Sequence, residues 1–422
     1  MIKNHDLIDR FFRYVKIDTQ SAEDTGTQPS TAKQHDLAKL LYKELHEMGV
    51  EAHYDRKNCY VYAKLPGEEP AIGFIAHMDT SPAASGANVH PRIEENYQGH
   101  SILLFKGHAG SESIVMRHEA FPELQNHIGE DLIVTDGKTL LGADDKAGVA
   151  EIMNLLAYYT SHPELPHRTI CVAFTPDEEI GAGVDHFNTE LFGAREAYTV
   201  DGSKLGEIEY ECFNAASARV EITGRSIHTG DAKNAMLSAV LVGMEFNAML
   251  PASERPEHTE GYEGFYHLGS MDGRVDHAVL KYIIRDHDYD KFQARKEYMT
   301  DAAKFINAKY KSFAGRDILK ITIRDQYYNM AIPLRDHMHL ITRAEEAMRK
   351  LGIEPITRPI RGGTDGARLT YMGVPCPNLC NGGYNFHGRF EYASVQEMEK
   401  SAELLILIAA VRDRSLGPSS EK

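Results

Sequence analysis

Six residues with no polar side chain, Ala71-Ile72-Gly73-Phe74-Ile75-Ala76, lead directly into His77-Met78-Asp79. A run that short and that apolar suits a strand buried on both faces, as in a parallel sheet covered by helices. A second buried strand is predicted over 169–175 and a shorter one over 197–200. Carboxylates follow both: Asp177-Glu178-Glu179 after the first, Asp201 after the second. Between the first two runs, Leu140-Leu141-Gly142-Ala143-Asp144-Asp145 precedes a predicted helix with Ile152, Leu155, Leu156 and Tyr159 on one apolar face. Upstream, Thr31-x-x-Gln34 reads as a capping box ahead of Leu37, Leu40, Leu41 and Leu45, and a short strand is predicted over 59–65. Strands and helices in this order predict an α/β fold.

The pattern changes near residue 213. Alternation with Ala218, Val220 and Ile222 on one side predicts a half-exposed strand over 216–223. A helix pattern follows over 231–250, then two strands over 264–270 and 277–286 with a turn at Met271-Asp272-Gly273-Arg274. A long helix over 289–310 and a strand over 318–324 complete a β-α-β-β-α-β order, the ferredoxin-like signature. After residue 330 the first pattern resumes, with helices over 337–351 and 395–412, between which a glycine-rich loop and a strand lead to Asn385-Phe386-His387. The predicted organisation is a first domain of 1–212 and 328–422, interrupted by a second domain of 213–327. Pro418 to Lys422 reads as a frayed tail.

Composition narrows the function. The formal charge of -16, from 46 basic and 62 acidic side chains, argues against nucleic acid and anionic membranes as partners. No apolar run has membrane-spanning length, and the charged start lacks the apolar core of a signal peptide. The 5 cysteines, Cys59, Cys171, Cys212, Cys376 and Cys380, are scattered, which suits a reducing, cytoplasmic setting. Cys376 and Cys380 have the spacing of a metal pair, but the apolar segment around them favours buried thiols.

Five segments place histidines and carboxylates at strand ends or helix starts: His77-Met78-Asp79, Asp144-Asp145, Asp177-Glu178-Glu179, Asp201 and His387. Ligand sites in open α/β sheets gather at the carboxyl ends of strands. Acidic and imidazole groups converging there repel or desolvate one another unless divalent cations sit among them, and a metal pair resolves the conflict. Taken singly, each segment has an ordinary reading: a helix cap for Asp144-Asp145, a solvated turn for Glu178-Glu179, a hydrogen-bonded structural residue for His387. Their joint occurrence is the specific signal.

The segments Ile75-Ala76-His77-Met78-Asp79-Thr80-Ser81-Pro82, Leu141-Gly142-Ala143-Asp144-Asp145-Lys146-Ala147-Gly148 and Phe174-Thr175-Pro176-Asp177-Glu178-Glu179-Ile180-Gly181 resemble the tripeptide aminopeptidases of the M20 metallopeptidase family. So do Thr199-Val200-Asp201-Gly202, Thr259-Glu260-Gly261-Tyr262-Glu263-Gly264-Phe265-Tyr266, Arg361-Gly362-Gly363-Thr364-Asp365-Gly366 and Asn385-Phe386-His387-Gly388. The resemblance spans nearly the whole chain. It implies a zinc-peptidase-like catalytic domain, a mixed sheet flanked by helices, with the inserted ferredoxin-like domain as lid and dimerisation module.

It also implies roles. His77 and Asp201 would bind one zinc, Glu179 and His387 the other, and Asp144 would bridge them. Glu178 would be the general base. Asp79 would accept a hydrogen bond from the His77 ring nitrogen facing away from the metal. The Asp144–Asp145 peptide would be cis, where the ordinary expectation is a trans bond with Asp145 capping the helix. His228 would stabilise the oxyanion, although Thr229 stands where the family usually has proline and implies a looser turn. Arg285 and Arg361 are candidate clamps for a substrate carboxylate. Short peptides, chiefly tripeptides, are the implied substrates, with a homodimer as the implied assembly. Zinc is the default metal, though cobalt and manganese also suit such donors. Other activities of the family (dipeptidase, carboxypeptidase, deacylase) share this metal set. A purely metal-binding or structural protein predicts a lost base or broken ligand positions, and the chain has neither.

Overall fold

The computed structural model describes residues 5–107 and 112–411. The tail expected at Pro418 to Lys422, and Arg412 at the expected end of the last helix, lie outside the described residues. The described chain divides into two compact units. One holds the residues up to Tyr210, Pro333–Arg358 and the residues from Thr364 onward; the other holds Glu211–Ile332 and Pro359–Gly363.

The first unit is built on an eight-stranded sheet. Its centre is Glu68–His77, paired in parallel with Arg168–Thr175 on one side and with Ala197–Gly202 on the other. Hairpin strands Glu51–Asp55 and Tyr60–Leu65 extend one edge in antiparallel fashion, and short strands Asn378–Cys380, Glu207–Glu209 and Ile356–Thr357 extend the other. The sheet is therefore mixed. All eight residues of Arg168–Thr175 are buried, as expected for a strand covered on both faces. The helix Ala143–Ser161 is buried around nearly its whole circumference rather than along one face, because it packs against the sheet and against helices His5–Val15 and Val395–Ala409. Its buried polar groups find partners far along the chain: Lys146 Nζ donates to the Ile17 carbonyl at 2.7 Å and Glu151 Oε2 accepts from Ser401 Oγ at 2.8 Å, while Glu151 Oε1 is buried without a partner.

The capping box at Thr31 and Gln34 does not form. Thr31 Oγ1 donates to the Gln20 carbonyl, and Gln34 reaches Asp177, donating to Oδ1 at 2.6 Å and accepting from its backbone N–H at 3.2 Å. A small antiparallel sheet of Gly383–Tyr384, Tyr392–Ser394, Leu132–Val134 and Arg92–Glu94 has no counterpart in the sequence reading. All five cysteines are free and buried.

The second unit is a four-stranded antiparallel sheet in the order Phe265–Gly273, His277–Asp286, Asn214–Thr223, Leu319–Tyr327, with helices Ala239–Met249 and Tyr289–Ala314. This is the β-α-β-β-α-β order. The first helix starts at Ala239, later than its pattern implied, because Ser238 caps it by accepting from Leu241 N. The segment Pro359–Gly363 joins this unit through a bridge from Ile360 to Cys212 and a bond from Phe213 N to the Gly362 carbonyl.

Candidate metal centre

His77 is the last residue of the central strand, Asp201 is the fifth residue of Ala197–Gly202, and Glu178-Glu179 form a turn just past Arg168–Thr175. Three adjacent parallel strands thus deliver their side chains to one end of the sheet. Asp144 arrives from the start of the helix Ala143–Ser161, where the backbone is not yet helical, and His387 from the loop after Gly383–Tyr384.

The structure brings five side chains together as two groups, His77–Asp144–Asp201 and Asp144–Glu179–His387, whose donor atoms lie within 4.8 Å of one another. Asp144 belongs to both: Oδ1 is 2.9 Å from His77 Nε2, and Oδ2 is 2.9 Å from His387 Nε2. Asp201 Oδ1 lies 3.4 Å from His77 Nε2, and Glu179 Oε2 lies 3.0 Å from His387 Nε2. Glu179 Oε1 is buried with no hydrogen-bond partner. Burial pushes Asp201 up to about 7 and Glu179 upward, while hydrogen bonds to Asp144 and Glu179 push His387 up to about 10. Burial would also raise Asp144, but the two imidazoles outweigh it and hold that carboxyl down. These are the compromises of crowded acids with too little positive charge. Two dications relieve them and give the orphaned Glu179 oxygen a partner, so the donor set fits a dinuclear metal site.

Glu178 belongs to neither group. Among the described residues none donates a hydrogen bond to its carboxylate. Burial, and then the neighbouring Asp201 charge, hold its pKa well above the usual carboxylate range. Asp79 differs from expectation. The His77 Nδ1 partner at 3.0 Å is the Asp79 main-chain carbonyl, with the carboxylate at 3.4 Å. That carboxylate instead accepts from the backbone N–H groups of Glu178 at 3.0 Å and Glu179 at 3.2 Å, fixing the turn that carries both glutamates. The Asp144–Asp145 peptide is cis, and neither aspartate caps the helix. Asp145 accepts from His77 N and from Asn381 Nδ2.

Several supporting residues escaped the sequence reading. Glu391 is buried and accepts from Leu141 N, Gly142 N and Asp144 N at 2.7, 2.8 and 3.1 Å, pinning the loop that presents Asp144. Asn378 Oδ1 accepts from Asp201 N, and Asp365 accepts from Thr175 Oγ1. Glu391 left one trace, a carboxylate between Phe390 and Tyr392; the asparagines left another, amides inside the apolar run 374–381.

The other three candidates belong to the second unit. His228 is exposed, and its Nδ1 accepts from Gly230 N at 3.1 Å in the Thr229–Asp231 turn. Arg285 Nη1 donates to the carbonyls of Ala216 and Ile284. Arg361 donates from Nη1 to the Gly261 and Glu263 carbonyls and from Nη2 to Thr259 Oγ1, between the rings of Phe213 and Phe265.

The sequence pattern of "Peptidase family M20/M25/M40" matches residues 134–410. Peptidase T of Clostridium acetobutylicum is 49% identical over 96% of this chain and 98% of its own length. The chain belongs to the M20 peptidase family. Peptidase T of Geobacillus thermodenitrificans is 51% identical to this M20 peptidase over 96% of the chain and 97% of its own length. With such relatives it is a metallo-aminopeptidase. The fold is shared with solved structures: aminopeptidase PepT from Bacillus cereus, with a TM-score of 0.72 at 24% identity over 96% of this chain and 97% of that one, and a Staphylococcus aureus tripeptidase, with 0.75 at 21% identity over 97% and 98%. Among the described residues no helix is long and apolar enough to cross a membrane.

Proposed function

We propose that this M20 peptidase is a cytoplasmic tripeptide aminopeptidase holding two zinc ions, His77 and Asp201 on one, Glu179 and His387 on the other, and Asp144 shared. The observation that carries the reading is the pair of three-donor groups meeting at Asp144 beside an unpartnered Glu178 carboxylate. When bound, two such ions supply Lewis acidity and lower the pKa of a water towards neutrality. Glu178 takes the proton of the attacking water and passes it to the leaving amine. Asp79 keeps that carboxylate in place through the Glu178 backbone N–H. His228 accepts at Nδ1, which leaves Nε2–H as a donor for the oxyanion. The tripeptide preference rests on the peptidase T relatives.

The decisive assay is release of the N-terminal residue from trialanine. Turnover should vanish on chelation and return with zinc; turnover that survives chelation overturns the reading. An N-acetylated tripeptide should be inert, which separates an aminopeptidase from a deacylase.

Arg285 is the better carboxylate clamp, because its bonds to the Ala216 and Ile284 carbonyls both come from Nη1, whereas Arg361 uses Nη1 and Nη2 on the segment 259–263. Arg285→Ala should raise KM for tripeptides roughly tenfold to a hundredfold, as expected when a charged hydrogen-bonding partner is lost, with metal content unchanged. An unaltered KM removes Arg285 from the clamp. A homodimer through the second unit is consistent with the exposed Leu241, Met244 and Phe305 on its helices, and sedimentation velocity reads that state directly.

A further inference from the structure

The three strands that end at the metal centre begin at a cavity of about 840 Å³. Ala71 and His77 bracket the central strand's buried stretch, so the two sites are separated by roughly 20 Å at about 3.3 Å per residue. The charged and imidazole side chains that line the cavity are Arg168, Arg195, Arg343, Glu69, Glu196, His337 and His339.

Arg168 is only 5% exposed. Nε donates to the Pro70 carbonyl and Nη2 to the Ala71 carbonyl, but Nη1 is buried without a partner. Among the described residues no carboxylate forms an ion pair with Arg168, Arg195 or Arg343. Burial, and then the charge of Arg343, lower the Arg168 pKa, so these two guanidinium groups feel one another. The helix His339–Lys350 starts at the same place. Met338 at its N-cap offers no side-chain acceptor, and the helical turn Arg335–His337 runs directly into it.

Two carboxylates, Glu196 and, with the smaller effect on Arg168, Glu69, offset only part of the guanidinium charge. The Glu196 Oε1 is also shared with the imidazoles, 2.6 Å from His339 Nε2 and 3.5 Å from His337 Nδ1. Glu196, His337 and His339 also present three metal-type donors within 4.8 Å. Three guanidinium groups lining the same cavity oppose a further cation, and they outnumber its two carboxylates, which leaves an excess of positive charge.

We propose that this cavity binds a phosphate-type oxyanion, either inorganic phosphate or the phosphate group of a larger metabolite, held by Arg168, Arg195 and Arg343. Planar guanidinium forks match phosphate oxygens in pairs. The volume leaves room for an organic portion.

Calorimetric titration of the zinc-loaded enzyme tests this, with a tripeptide hydroxamate covering the catalytic metals. The titrants are inorganic phosphate, adenosine monophosphate and glucose 6-phosphate. One phosphate per chain is expected. Arg195→Gln combined with Arg343→Gln should weaken it at least tenfold, with trialanine turnover in phosphate-free buffer as in the parent. An organic phosphate binding tenfold more tightly than phosphate assigns the site to a metabolite; equal affinity assigns it to the free ion. No binding at millimolar phosphate, binding unaltered in the double variant, or a third zinc taken up by Glu196, His337 and His339 in place of phosphate overturns the proposal.

Discussion

Glu178→Gln is expected to cut tripeptide turnover by roughly a thousandfold or more while two metals per chain remain bound. The amide keeps the size and shape of the side chain and loses only its ability to take a proton. General acid–base groups contribute about 10²- to 10⁴-fold, and this one serves both the attack and the departure of the amine. The metals stay because Glu178 is in neither donor group and its backbone remains anchored on Asp79. Since the proton moves only in the transition state, kcat and kcat/KM should fall together. Metal analysis and steady-state kinetics on one preparation decide it: a loss under tenfold, or a loss of metal, removes Glu178 as the base.

Long apolar runs and joint motifs made the catalytic unit legible. An apolar run of six or seven residues that leads into His77-Met78-Asp79 or Asp177-Glu178-Glu179 reads as a buried strand with a site at its end, so the buried parts of Glu68–His77 and Arg168–Thr175 and the residues beyond them could be placed from sequence. The strands Arg92–Glu94, Leu132–Val134 and Tyr392–Ser394 could not, since three residues are too few to show alternation. The helix Ala143–Ser161 was assigned one apolar face because Lys146, Glu151 and Asn154 interrupt it. Those residues are buried too, and Lys146 and Glu151 reach partners far along the chain, the Ile17 carbonyl and Ser401.

The same distance effect governs the supporting residues. Gln34 looked like a local cap because Thr31 stands three residues earlier, yet it binds Asp177, 143 residues away. Glu391 holds the Asp144 loop across a longer span still, 247 residues to Asp144. Metal donors betray themselves by type and by their place at strand ends. The groups that orient them use ordinary amides and carboxylates, and only tertiary structure pairs those with the backbone they support.

Asp144→Ala should empty both metal positions at once, whereas Asp201→Ala and His387→Ala should each leave one metal bound. Asp144 alone offers one oxygen to the His77 side and the other to the His387 side, so its removal takes a donor from both groups. Each group then keeps two donors, fewer than the three protein ligands that catalytic sites use. The backbone of the loop should hold, because Glu391 grips it through Leu141 N, Gly142 N and Asp144 N without using the Asp144 side chain. An intact far-ultraviolet dichroism spectrum alongside lost metal would separate ligand loss from unfolding. Tripeptide turnover should fall at least about ten-thousandfold, since a water whose pKa is no longer lowered from about 16 towards 7 is a poor nucleophile at neutral pH. One metal retained at full occupancy in Asp144→Ala would mean that the two positions are independent and that the shared carboxylate is not the keystone of the site.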